Sequence, residues 1–267
     1  MTVDGALARE LRDLAVAVAE EAGALLRARL LDARVAIETK SSPTDMVSEV
    51  DRESEALVVG RLLLARPEDG VLGEEGADFA GTSGVRWLVD PLDGTTNYLY
   101  GYPAFSVSIA AEVAGQIVAG AVHNAAIGET FAAAMGQGAS RNGRAIRVTA
   151  ETDLAKALIG TGFSYDSGWR AKQAAVLQEV LPGIRDIRRS GSAAIDLCSV
   201  ACGRLDGFYE ARLSAWDWGA GVLIAREAGA ATGDLLTSPA VVRPVVVAAP
   251  GVFEALVERL ERAGFPG

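Results

Sequence analysis

The stretch Trp87-Leu-Val-Asp90-Pro-Leu-Asp93-Gly-Thr-Thr-Asn97 places two carboxylates three residues apart at the end of an apolar run. The proline between them restricts the chain, and Gly94 admits a turn and a close backbone approach. Thr95 then stands where a short helix can begin. Carboxylates in such a place can hold hard cations, while the N–H groups of the turn and helix start can receive phosphate oxygens. An isolated Asp-x-x-Asp-Gly reads equally well as a strand followed by a turn, because aspartate is common in turns.

Three further segments shift that balance. Glu74 lies in Gly73-Glu-Glu-Gly76, directly after a short apolar strand. Asp51, in Ser48-Glu-Val-Asp51, stands at the head of a helix, where capping is the plainer role. Asp217, in Ala215-Trp-Asp-Trp218, opens another helix and could serve only as its N-cap. Each has a structural explanation alone. Four acidic clusters at element ends, each beside apolar sequence, point to a site.

The chain holds one histidine, His123, and two cysteines, Cys198 and Cys202. This excludes most zinc sites and any mechanism built on a pair of histidines. Oxygen ligands without imidazole or thiolate select Mg²⁺ or Mn²⁺. Two such ions about 4 Å apart can activate a water and neutralise a leaving oxygen.

The elements that must position these acids are those of a folded chain. It has 267 residues, a hydrophobic fraction of 50% and a net charge of −10. That length buries roughly three quarters of the unfolded surface in one large or two small layered domains. The acidity disfavours nucleic acid as a direct ligand. The segment Met1–Asp13 mixes acids and bases without an apolar core, and no apolar run reaches the roughly 18 residues of a membrane span. Two cysteines four apart on one helix are poorly placed to bridge, which fits a reducing cytoplasm. The expectation is a cytoplasmic protein without a membrane anchor.

Apolar spacing predicts a helix over 5–30, a polar loop over 39–45 and a second helix over 48–65. Two short strands follow around 71–76 and 86–90, then an antiparallel meander over 104–150 with hairpins at Ala114-Gly115 and Ile127-Gly128. The pattern changes near 149–153, which suggests an N-terminal α+β half over 1–150 and a C-terminal half over 151–267. The second half reads as strand 157–163, helices 168–181 and 191–203, strand 206–210, helix 217–228, strand 244–249 and helix 251–263. Helices flank sheets without strict alternation, so the class is a layered α+β fold.

Taken together, the motifs resemble the inositol monophosphatase family, and particularly its bacterial SuhB-type members. The resemblance rests on Asp90–Asn97 with Gly101-Tyr-Pro103, on Gly73-Glu-Glu75, and on Trp216–Gly221 running into Glu227-Ala-Gly229. Lys40–Asp45, Glu49-Val-Asp51 and Arg189–Ala194 extend it, in family order, from about 40 to 230. It implies an αβαβα sandwich, usually a homodimer, that hydrolyses myo-inositol monophosphate with two or three Mg²⁺ per site; Mn²⁺ can substitute and Li⁺ inhibits. Glu74, Asp90 and the Leu92 carbonyl would hold one metal, and Asp90, Asp93 and Asp217 a second. Thr95 paired with Asp51 would orient the attacking water, with Glu74 assisting, and the backbone of Gly94 and Thr95 would receive the phosphate. Glu210, Ser164 and Ala193 in the 192–194 turn would meet the alcohol's hydroxyls, and Lys40 would lie near the phosphate. The same fold serves fructose-1,6-bisphosphatase, histidinol phosphatase and 3′-phosphoadenosine nucleotidase, and some SuhB-type proteins are partners of the transcription machinery.

Two features read as decoys. Cys198-Ser-Val-Ala-Cys-Gly-Arg204 matches C-x5-R, but Cys198 falls inside a helical run instead of at a helix start. His123 sits alone in an apolar strand and reads as a hydrogen-bonded core residue. Arg188-Arg189 reads as a surface step or dimer contact.

Overall fold

A computed structural model describes residues 4–39, 49–232 and 243–265, without the side chains of 31–39 and 243. The first helix, α1 (Gly5–Thr39), buries Leu11, Ala15, Val18, Ala19, Ala22 and Leu26. It runs nine residues beyond the predicted end because neither glycine nor proline interrupts 31–39. Of the predicted loop, Thr39 is therefore helical, and 40–45 fall outside the described residues. Helix α2 (Glu49–Ala65) joins α1 through Val58, Val59 and Leu62.

The chain then builds an eight-stranded sheet from β1 (Gly70–Gly73), β2 (Asp78–Phe79), β3 (Val85–Asp93), β4 (Ser106–Val113), β5 (Gln116–Asn124), β6 (Glu129–Ala134), β7 (Ala139–Arg141) and β8 (Arg144–Ala145). Their order is β2-β1-β3-β4-β5-β6-β7-β8, and only the β1–β3 pair is parallel. A six-residue helix, α3 (Thr95–Tyr100), follows β3. At the β4–β5 hairpin Ala114 and Gly115 both have positive φ, 52° and 78°, the twist that tight hairpins require.

A second, four-stranded sheet contains β9 (Leu158–Thr161), β10 (Asp186–Arg188), β11 (Gly207–Leu213) and β12 (Arg243–Ala248), in the order β10-β9-β11-β12. Helices α4 (Ser167–Val180), α5 (Ala193–Ala201), α6 (Ala215–Glu227) and α7 (Pro250–Arg262) complete the described fold. Strands β2 and β10, two and three residues long at sheet edges, are too short to produce a periodic signal.

Alternation along β3 and β4 explains the layering. Trp87, Val89, Val107 and Ile109 face α1 and α2, whereas Leu88 and Ala110 face α5 and α6. The inner helices also meet the second sheet through Phe208, Val245 and Val247. Its outer face packs Ile159 and Tyr209 against Val176 of α4 and Leu256 of α7. The order is thus helices, sheet, helices, sheet, helices: the αβαβα layering expected. Close approach is essential in the middle. A Cβ on Gly120 would sit 2.9 Å from the Ala220 backbone, and one on Gly221 would sit 2.7 Å from Leu197.

Both decoys resolve as structure. Cys198 is free and buried within α5, where burial raises its thiol well above the ordinary value; Cys202 is also free. His123 contacts Thr130 Oγ1 at 2.9 Å and Arg27 Nη1 at 3.2 Å. Thr130 in turn donates to Glu20.

Candidate active site

Parallel pairing of β1 with β3 brings their C-terminal ends side by side, so Glu74 and Asp90 emerge together. Glu74 is held by its N–H, which donates to the Val89 carbonyl at 3.1 Å. The turn after it is tied to α2, since Glu55 accepts from the N–H groups of Glu75 and Ala77. Ser54 of the same helix donates to the Pro91 carbonyl at 2.9 Å. Asp51, one turn earlier, is buried.

The ladder between β3 and β4 breaks where the chemistry lies. Asp90 faces Ser108 and Asp93 faces Ser106, three residues against two, so β3 carries one extra residue there. Asp90 accepts from the Leu92 N–H at 3.0 Å, and Thr95 donates to the Leu92 carbonyl at 3.1 Å. Gly94 closes the turn with φ 89° and ψ 36°. A Cβ there would lie 2.9 Å from the Ala104 carbonyl oxygen. Gly94→Ala is therefore expected to cost about 2–3 kcal/mol from left-handed strain plus the backbone clash. Urea unfolding checks this: the midpoint should fall while the m-value stays constant.

The remaining acids come from the inner helices. Asp93 accepts from Ser192 Oγ at 2.5 Å and from the Ala194 N–H at 2.8 Å, which joins the β3 end to the start of α5. Asp217 is not the N-cap of α6 but the third residue of a capping box: Ser214 is the cap and donates its N–H to Asp217 at 2.6 Å. This structural role does not remove Asp217 from the cluster. Carboxylate oxygens of Glu74, Asp90 and Asp217 lie within 4.8 Å of one another.

This concentration of like charge dominates the electrostatics. Burial first, then Glu74, Asp93 and Asp217, raise the Asp90 carboxyl well above its ordinary value. Burial followed by Asp93 and Glu74 does the same for Asp217. Glu74 keeps much of its surface in solvent, yet its carboxyl end faces Asp90; lost hydration there, with the charges of Asp93, Glu75 and Asp51, pushes it to about 7 despite a hydrogen bond with Asp90. Burial takes Asp93 to about 6, against the lowering hydrogen bonds from Ser192, Ala194 and Ala193. Such a set, all oxygen donors crowded by like charge, has the chemistry of a hard divalent-cation site.

A cavity of about 380 Å³ opens from this cluster. Of the residues expected from sequence, Glu74, Asp90, Leu92, Asp93, Gly94, Thr95, Ser164, Ala193, Glu210 and Asp217 all line it. Asp51 does not line it and lies behind, where its charge reaches Glu74. Lys40 falls outside the described residues. Glu210 crosses above Gly162, where any Cβ would collide with its carboxylate, and burial followed by Asp93 and Asp196 raises it to about 8.

Sequence reasoning missed three charged lining residues. Arg189 lines the cavity, and its charge offsets Asp93, Asp196 and Glu210. Asp196 is buried and raised to about 7 by that burial. An acid within the apolar run Ala193–Ala201 was the signal available for it. Arg212, on the last strand before Asp217, is the third.

Comparison with known proteins shows the same fold and one family over nearly the whole chain. The model of the inositol monophosphatase family matches residues 7–263. Inositol-1-monophosphatase SuhB of Mycobacterium tuberculosis is 45% identical over 273 aligned positions, covering 94% of this chain and 93% of the relative. The solved structure of Mycobacterium tuberculosis SuhB superposes with a TM-score of 0.83 over 97% of this chain and 98% of that one, at 42% identity. A Vibrio cholerae relative named Nus factor SuhB is 35% identical and covers 94% of this chain and 96% of its own length. With the acid cluster, the cavity and the layered sheets accounted for over the same span, the chain belongs to the inositol monophosphatase family.

Proposed function

We propose that this phosphatase hydrolyses a phosphate monoester of a polyhydroxylated alcohol, myo-inositol monophosphate first, with Mg²⁺ as cofactor. The observation that carries the reading is the convergence of Glu74, Asp90, Asp93 and Asp217 on one cavity beside the Gly94 turn. Glu74, Asp90, the Leu92 carbonyl, Asp93 and Asp217 are the atoms suited to hold divalent ions. When bound, such ions polarise the phosphate, lower the pKa of water and neutralise the leaving oxygen.

The chain's own groups supply positioning. Gly94 and Thr95 both line the cavity, and their N–H groups are the proposed receivers of phosphate oxygens. The Thr95 hydroxyl, in its proposed pairing with Asp51, orients the attacking water, and Glu74 draws off its proton. Glu210, Ser164 and the Ala193 backbone meet hydroxyls of the alcohol, and Lys40 supports the phosphate. The wider proposal is a cytoplasmic homodimer. Among the described residues no helix is long and apolar enough to cross a membrane.

The test is phosphate release across a panel of inositol, sugar, histidinol and nucleotide monophosphates, with chelator, Mg²⁺, Mn²⁺ or Mg²⁺ plus Li⁺. Expected are turnover that requires a divalent ion, inhibition by Li⁺, and inositol monophosphate as the leading substrate. Turnover in chelator sinks the mechanism, and a better sugar or nucleotide substrate replaces inositol. The name of the Vibrio cholerae relative favours one second reading, a role with the transcription machinery. Folded protein inactive on the whole panel would support it.

A further inference from the structure

The loop that follows β9 brings three successive residues to the cavity, Phe163, Ser164 and Tyr165. Its backbone is fixed from behind by Gln173, a buried residue of α4. Gln173 Oε1 accepts from the Ser164 N–H at 2.7 Å, and its Nε2 donates to the Gly162 carbonyl at 3.4 Å. Ser164 Oγ accepts from the Asp166 N–H at 3.1 Å, and Asp166 caps α4 by accepting from the Trp169 N–H at 2.8 Å. A buried amide bonded on both sides of Phe163 leaves this loop little backbone freedom.

Tyr165 stands on that fixed mount but is held loosely at its tip. It lines the cavity and is nevertheless 77% exposed, which puts it at the mouth. Its hydroxyl lies 3.1 Å from Thr96 Oγ1, a contact between segments 69 positions apart. Thr96 belongs to α3 and directly follows Thr95, which lines the cavity from the first half of the chain. The contact therefore ties the loop before α4 to the helix after β3 at the edge of the cavity. The pair is exposed, so water competes for both hydroxyls and the tie opens at small cost. Ser164 and the Gly94 turn lie on the two segments so joined. An ester held between them meets the tyrosine only where its alcohol extends outward through the mouth.

We propose that Tyr165 is a specificity-determining residue whose side chain, tied to Thr96, bars the cavity mouth against esters with an alcohol larger than a single ring. This rests on the phosphatase reading and narrows its substrates to single-ring polyol monophosphates at the expense of nucleotides. Tyr165 makes and breaks no bond of the substrate. It acts by exclusion, a penalty placed on the wrong partner instead of a contact added for the right one.

The test compares inositol 1-phosphate with adenosine 2′-monophosphate, whose alcohol carries a base beyond its sugar ring. Tyr165→Ala removes the bar at an exposed position and threatens the fold little. The ratio of kcat/KM for the nucleotide over the inositol ester is expected to rise about tenfold. Tyr165→Phe and Thr96→Val each remove only the tie, and should raise the ratio alike by about threefold. A ratio that moves less than about twofold in Tyr165→Ala overturns the bar. A ratio that falls also overturns it, since the ring would then be a platform for the base. If wild type hydrolyses neither compound, the phosphatase reading fails by itself. Calorimetric titration of both compounds with Mg²⁺ then decides: tighter binding of the nucleotide alone in Tyr165→Ala sustains the bar, and no gain for the nucleotide overturns it.

Discussion

Asp93→Asn is expected to lower kcat/KM for a phosphate monoester by on the order of 10³-fold while making the ion-free protein more stable. The two effects have one origin. Asp93 adds negative charge to a buried group that already contains Asp90 and Asp217. The substituted amide oxygen can still accept from Ser192 and the Ala194 N–H, so the start of α5 keeps its anchor. What disappears is one charge that a divalent cation requires and that the empty cluster resists. Phosphate release with Mg²⁺ and urea unfolding in chelator at pH 8 measure the two quantities. Full activity in the variant, or a lower unfolding midpoint in chelator, would remove Asp93 from the proposed cation site.

In chelator, the wild-type protein is expected to lose stability steadily as pH rises from about 4 to about 8. Glu74 at about 7, Asp93 at about 6, Asp196 at about 7 and Glu210 at about 8 all stand above their ordinary carboxylate values. The folded state therefore keeps protons that the unfolded chain has released. Stability is full below the unfolded values near 4 and is lost as pH climbs through the folded ones. Buried Asp196 alone accounts for on the order of 3–4 kcal/mol at the upper end. The coupled acids of the cluster add to this less than independently. Because a cation binds the deprotonated set, added Mg²⁺ should stabilise the protein far more at pH 8 than at pH 5. Unfolding midpoints across that range, with chelator and with Mg²⁺, give the answer. Stability that rises with pH in chelator would show that the acids are not forced together as described.

The acids were legible in sequence because each stands at the end of an element whose pattern is strong. Strand β3 announces itself by Trp87-Leu-Val before Asp90, and α6 by the apolar run after Asp217. What sequence does not show is which ends meet. Parallel pairing of β1 with β3 joins Glu74 to Asp90, and Ser192 links Asp93 to α5 across 99 positions. Arg189 and Arg212 were hidden for a different reason. A charged residue just past a short edge strand looks like surface, and the positive φ of Arg212 arises from a bulge without a local signal. The extension of α1 was missed because a helix with no breaker continues wherever packing permits.

The bond between Asp93 and Ser192 also bears on the order in which the molecule assembles. Glu74, Asp90 and Asp93 belong to the first sheet, yet Asp217 and the Ser192 anchor ride on helices held between two sheets. Neither helix has a settled place until both sheets have closed over it. Contacts of such long sequence separation form late and slowly. Affinity for a divalent ion would then be acquired only in the final step of folding, so that the ion slows unfolding without hastening collapse, a latch fitted after the walls are up.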